Sequence, residues 1–307
     1  MVNQDILARR SESSSAAPGA DTPPKKPRTT KPTAASSSAR VTIGGPLTFL
    51  FFGLMVVFIL GPLVWLGVRA FAESWTYPNL WPDGWTLKWW GVVLGDNTLG
   101  TAVQNSLFFA TLTVLASAVI CLPAAYAFAR YEFWGRRSFL IGLFAINAFP
   151  KMGLFVTIAS LYYALNLMNS VLGVLIVHVL GTVVFMTWIP AAAFAAVPRS
   201  LEDAARDAGA SKFRVFLSVT LPMALPGILV AAVMSFLASF DEAQGTYLVG
   251  TPDIMTMPTQ MYTLVLNYPK QVAAVFSILL AIPSVALLLA AHKHITGGTL
   301  AEGFQIK

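Results

Sequence analysis

The side chains able to do covalent or metal chemistry are few in this chain and badly spaced for it. His178, His292 and His294 show neither a His-Glu-x-x-His nor a Cys/His ligand pattern, so no metal site is expected. Cys121 is the only cysteine, which removes an intrachain disulfide and a cysteine-based metal site together. No Gly-x-x-x-x-Gly-Lys-Ser/Thr phosphate loop occurs, and no nucleophile is set beside a base. The chain is therefore not read as an enzyme. What remains is charge in apolar surroundings: Lys151, Asp241 and Glu242 interrupt long hydrophobic runs. Ionisable groups at bilayer depth are costly unless they face a cavity or a partner, so these three are candidates for lining a route taken by a polar solute. Adjacent helical residues point about 100° apart, so only one of Asp241 and Glu242 faces any given direction squarely.

The elements that must position them follow from composition. Of 307 residues, 56% are hydrophobic and 11% charged, and the chain holds 21 Phe and 8 Trp. Soluble domains carry about 25% charge, so lipid is the expected solvent. Six apolar runs approach or exceed the roughly 20 residues that a membrane helix needs. They cover about residues 46–70, 101–129, 138–161, 172–197, 223–248 and 272–291. The expected fold is an all-α integral membrane protein with six transmembrane helices. Pro123, Pro150, Pro190 and Pro283 lie within the runs, where membrane bundles tolerate them as kinks. At 1.5 Å per residue, Lys151 lies roughly 20 Å into the third run and Asp241 roughly 27 Å into the fifth. His178, mid-segment, is read as a hydrogen-bonded helix contact; His292 and His294 flank Lys293 at a helix end, where cations suit the dipole.

The balance of 20 basic against 14 acidic residues gives a net charge of +6, which by itself could suggest nucleic acid. The cations instead gather in the first forty residues and in alternate loops, which is a topology signal. Residues 1–42 are poor in large apolar side chains and rich in Ser, Pro and Lys/Arg, and are expected to form a disordered basic tail; residues 43–307 form the transmembrane domain. The turn 130–137 carries Arg130, Arg136 and Arg137, and the connection 198–222 carries Arg199, Arg206, Lys212 and Arg214. The segment 71–100 and the loop 250–271 carry one lysine each, Lys88 and Lys270. The positive-inside rule then places both termini in the cytoplasm and Trp75, Trp81, Trp85, Trp89 and Trp90 outside, as an aromatic belt.

The connection from 198 to 222 is the most specific stretch. Pro198 closes the preceding helix, Ser200 is a candidate N-cap, and Asp203 stands at the capping-box position. Leu201, Ala204, Ala205 and Ala208 recur at i, i+3, i+4 and i+7, giving a short helix one small apolar face. Gly209 stands where a left-handed C-terminal cap is needed. So short a helix is marginal alone and needs something to pack against.

Glu202, Ala204, Ala205 and Gly209, followed by Leu221-Pro222, resemble the signature loop of permease subunits of binding-protein-dependent ATP-binding-cassette importers. The resemblance extends from about Trp85 through Asn105-Ser106-Leu107 and Ala124–Arg130 to the C-terminus. It implies a type I importer permease core with a cytoplasmic coupling helix, sited in the bacterial inner (plasma) membrane. It also implies that Glu202, Ala204, Ala205 and Gly209 contact a cytoplasmic ATPase dimer, which binds the ATP and magnesium that this chain does not. A second permease subunit, an extracytoplasmic solute-binding protein and the lipid bilayer complete the implied partners; nucleic acid is not among them. The stretch Ser239-Phe240-Asp241-Glu242, with Gly250-Thr251-Pro252 and Thr256-Met257-Pro258, is similar to polyamine-type permeases. The run Tyr126–Arg130 and the C-terminal Gly297-Gly298 are similar to sugar and glycerol-phosphate permeases. The polyamine type is preferred, with sugar or glycerol-phosphate import as the alternative solute. A secondary carrier is the alternative class; it would usually show inverted repeats and midplane acids and would not need a capped coupling helix.

Overall fold

The computed structural model describes residues 45–145 and 149–296; the tail expected over residues 1–42 lies outside them, as does Gly297-Gly298. The chain divides into two units, up to Phe52 and from Gly53 onward. In the described part of the first, Phe51 and Phe52 meet edge to face with centroids 6.1 Å apart. Helix α1 runs Pro46–Phe71. After it come α2 (Lys88–Leu94), α3 (Asn97–Arg130), α4 (Arg136–Ala145), α5 (Lys151–Leu165) and α6 (Val171–Ala196). The second half holds α7 (Arg199–Asp207), α8 (Lys212–Val215), a π turn at Phe216–Thr220, α9 (Leu221–Phe240), α10 (Gln244–Gly250), α11 (Met257–Asn267) and α12 (Lys270–Thr296). Among the described residues there is no strand, only an isolated bridge between Ala72 and Trp85.

Among the described residues, five helical stretches are long and apolar enough to cross a membrane: Leu47–Phe71, Asn97–Arg130, Val171–Ala196, Lys212–Phe240 and Lys270–Ala290. Two of the six expected spans are corrected. The third is not one helix but two, α4 and α5, and Pro150 stands as the N-cap of α5 at φ −59° and ψ 110°. Proline has no N–H to continue the ladder and pushes the residue before it away from helix, so an interruption here is the expected physics carried one step beyond a kink. By contrast α3, α6, α9 and α12 continue through Pro123, Pro190, Pro226 and Pro283. The fifth span starts earlier, at Lys212, and stops at Phe240; residues 241–243 are not helical and α10 begins at Gln244.

At the centre α3 packs along α6, and α9 lies against both. Ala125 and Ala129 of α3, Phe194 of α6 and Ala224 and Ile228 of α9 share one buried cluster, and Cys121, Met186 and Ala231 share the next. Small side chains on all three helices let the backbones approach, which is how helices associate where lipid is as apolar as the protein. One buried polar pair joins α3 to α6, Ser117 Oγ and Thr182 Oγ1 at 2.8 Å. The side chains of α1 from Gly53 to Val64 are almost all exposed, a surface suited only to lipid or to another apolar partner. Caps set two of the entries: Asp96 accepts from Thr98 N and Leu99 N at the start of α3, and Ser170 from Gly173 N at the start of α6.

Candidate coupling and pathway sites

The motif-bearing connection folds into α7, nine residues long as its periodicity required. Its N-terminus corrects the capping expectation. Pro198 is the N-cap and makes no side-chain cap bond, so the helix starts one residue before Ser200. Asp203 instead pairs with Arg206 at 3.5 Å on the exposed side, an ion pair of small worth in water. The C-terminus is as expected. Gly209 has φ +87°, its N–H bonds Arg206 O at 2.8 Å, and Ala210 N bonds Ala205 O at 3.0 Å. These two bonds make a Schellman cap, which needs a residue free of a Cβ at the left-handed position. Leu201, Ala204 and Ala208 are exposed and Ala205 is half-buried, so most of the apolar face of α7 is left uncovered by the described residues.

Glu202 points the other way. It is 5% exposed, and its Oε1 accepts from Arg130 Nη2 at 2.7 Å and from Thr220 Oγ1 at 2.6 Å. Arg130 Nη2 also donates to Val197 O at 3.1 Å, and Arg199 Nη2 reaches Arg130 O at 3.4 Å. Arg130 ends α3, Val197 follows α6, and Thr220 precedes α9. One carboxylate therefore ties α7 to all three central helices. Beneath it Tyr126 of α3 meets Phe194 of α6 and Phe216 of the π turn edge-on, at 5.5 and 5.2 Å. Sequence reasoning missed Arg130 and Thr220 as members of this site; the only signal was a basic residue at the end of an apolar run.

At the other end of α9 the two candidate carboxylates part company. Asp241 is exposed, whereas Glu242 is 7% exposed and its Oε1 accepts from Gly245 N at 2.8 Å. Glu242 thus satisfies a free N–H in the first turn of α10, where the helix dipole also favours a negative charge. Lys151, the exposed first residue of α5, is within electrostatic reach of Glu242 but makes no ion pair with it. The structure brings Lys151 into the neighbourhood of this break and leaves Asp241 as the accessible acid.

α10 is held tightly. A Cβ on Gly245 would collide with Val177 Cγ1 of α6 and lie 3.2 Å from the Phe155 ring of α5, so only glycine permits this approach. Asn169 N donates to Val249 O at 2.7 Å. His178 of α6, 1% exposed, makes 2.7 Å bonds to Ser239 Oγ through Nδ1 and to Thr246 Oγ1 through Nε2. It is a hydrogen-bonded helix contact. Beyond α10, Asn105 Nδ2 donates to Met255 O at 2.9 Å, and Ser106 Oγ accepts from Met257 N at 2.7 Å. The Asn105-Ser106 pair of the family resemblance is therefore what fastens the loop before α11 to α3.

Several span-length apolar helices joined by the short helix α7 are the build of a multi-pass membrane protein. Residues 119–297 match the family described as "Binding-protein-dependent transport system inner membrane component", and the chain belongs to it: a permease subunit of an ATP-binding-cassette importer. The chain is 27% identical over 262 residues to the maltodextrin transport system permease protein MdxG of Bacillus subtilis (strain 168), covering 83% of this chain and 94% of that one. It is 26% identical over 251 residues to the spermidine/putrescine transport system permease protein PotC of Escherichia coli (strain K12), covering 81% and 92%. Its fold is similar to a bacterial ABC transporter involved in the import of the acidic polysaccharide alginate, with a TM-score of 0.64 at 19% identity, covering 81% of this chain and 95% of that one.

Proposed function

We propose that α7 is the coupling helix of the importer, lying on the cytoplasmic side with both chain termini. Ala204, Ala205 and Gly209 meet a groove of the partner ATPase, which binds the ATP and magnesium, and Glu202 passes the motion inward. The observation that carries this reading is the division of α7 into two faces: Leu201, Ala204 and Ala208 open to solvent, Glu202 bonded to Arg130 and Thr220. A second permease subunit completes the pathway, and an extracytoplasmic binding protein delivers the solute. A bulky Ala204→Trp replacement is expected to leave insertion normal while the ATPase no longer co-purifies and uptake stops. Normal uptake at normal abundance would refute the assignment. Labelling of a cysteine at position 206 from outside intact cells would refute the orientation.

Lys151, Asp241 and Glu242 are assigned to the outer part of the pathway, and the solute class to carbohydrates. Glu242 is committed to Gly245 N, and the ammonium of Lys151 stands nearby, so the break offers a cationic solute less negative charge than the two acids suggest. A polyhydroxylated solute needs hydrogen bonds more than charge. The polyamine reading keeps two supporting observations, the exposed carboxylate of Asp241 and the likeness to the spermidine/putrescine permease PotC. Uptake that survives Asp241→Asn, together with sugar binding by the partner solute-binding protein, is the expected result. Polyamine binding by that protein and loss of uptake in Asp241→Asn would reverse the assignment.

A further inference from the structure

We propose that His178 is a positioning residue for the break between α9 and α10: its imidazole sets the angle at which α10 leaves α9 and so decides which acid faces the pathway. The inference rests on the pathway reading above and adds a residue from a different helix to it. Ser239 is the second-last residue of α9 and Thr246 the third of α10, so the ring spans the interruption from one hydroxyl to the other. Both hydroxyl residues are themselves buried, and Phe109 of α3 stacks on the ring with centroids 5.6 Å apart and planes 26° from parallel. An imidazole fits this slot for a chemical reason. The neutral ring offers one N–H donor and one acceptor on opposite sides, and a hydroxyl can complement either, so both nitrogens are satisfied without a charge at depth.

Between the two bonds lie Phe240, buried, then Asp241, exposed, and Glu242, buried. A rotation of α10 about the break would exchange what the two acids face. Three constraints oppose it: Gly245 against Val177, the Asn169–Val249 backbone bond, and the His178 bridge. Only the bridge grips both sides of the interruption.

The test uses the assembled transporter in cells, with Cys121→Ala and Asp241→Cys in the permease and a small water-soluble thiol reagent as probe. With His178 intact, position 241 should label, and transported solute should slow the labelling. Labelling that solute does not slow would sink the pathway reading, while the change in labelling rate between His178 and its variants would still decide the bridge. Then His178→Leu, which fills the space without hydrogen bonding, should change the labelling rate at 241 and raise the apparent KM for uptake about tenfold, the effect of losing one or two buried hydrogen bonds. His178→Gln, whose amide again offers one donor and one acceptor, should restore both. Ser239→Ala and Thr246→Ala should each shift labelling in the same sense, and they serve in place of His178→Leu if that variant does not accumulate. Labelling rate and KM unchanged in all of these variants would overturn the proposal, as would a fall in abundance with no change per assembled transporter.

Discussion

Glu202 and Glu242 mark the two ends of α9, which at 1.5 Å per residue is about 30 Å long. Both are buried, and both spend an oxygen on the chain itself, yet the company they keep differs. Glu202 has a full cationic partner in Arg130 and a hydroxyl from Thr220. Glu242 has one peptide N–H and a lysine it does not touch. The α7 end is consequently held by an ion pair between buried side chains, whereas the α10 end depends on packing and on hydrogen bonds without a cation. On the function proposed above, the first arrangement suits a part that transmits force and the second a part that admits a solute and lets it go.

The contrast is tested most severely at Arg130. Arg130→Ala strands the Glu202 carboxylate in a buried site, a loss of about 3–5 kcal/mol by the general cost of breaking such pairs. Its folded abundance in membranes should fall sharply on a thermal or proteolytic assay, and Arg130→Met with Glu202→Leu should recover it, because apolar replacement of the whole pair is close to neutral. At the other end the comparable break is steric. Gly245→Ala should cost about 1–3 kcal/mol as overpacking against Val177 and should impair uptake while α7 still recruits the ATPase. Gly209→Val strains a left-handed cap by about 1–2 kcal/mol, so ATPase affinity should drop up to about tenfold with insertion unchanged. The smallest effect is expected for Glu242→Gln, whose amide oxygen still accepts from Gly245 N, at about 1 kcal/mol or less. Equal thermal destabilisation by Glu202→Gln and Glu242→Gln would erase the distinction between the two ends.

Much of this was legible before the fold was seen, and for local reasons. Helix α7, its length and the role of Gly209 follow from residues within one or two turns of each other. The helices α3, α6 and α12 follow from runs of apolar residues that only lipid could suit. Legibility ended where the decisive partner was remote or where two local signals competed. Pro150 read as a kink because Pro123, Pro190 and Pro283 do sit inside continuous helices, and a proline's effect depends on its tertiary surroundings, which no single segment records. Ser200 looked like the cap because its chemistry is right, but the chain turns at Pro198. Asp241 and Glu242 read as adjacent positions on one helix, whereas the interruption after Phe240 separates an exposed acid from a buried one. The bonds from Arg130 to Glu202 and from His178 to Ser239 and Thr246 join residues 72, 61 and 68 positions apart, beyond any periodicity.

That first separation also has a temporal side. Ribosomes add about 5–20 residues per second, so Arg130 is made about 4–14 s before the carboxylate that neutralises it. Throughout that interval the Glu202 carboxylate is absent, and a cation at the end of an apolar helix is costly to draw into lipid. The charge is withdrawn from solvent only when α6, α7 and the start of α9 have arrived. The pair that fastens the finished protein is therefore a late contact, closed only after the chain between its two halves has been made.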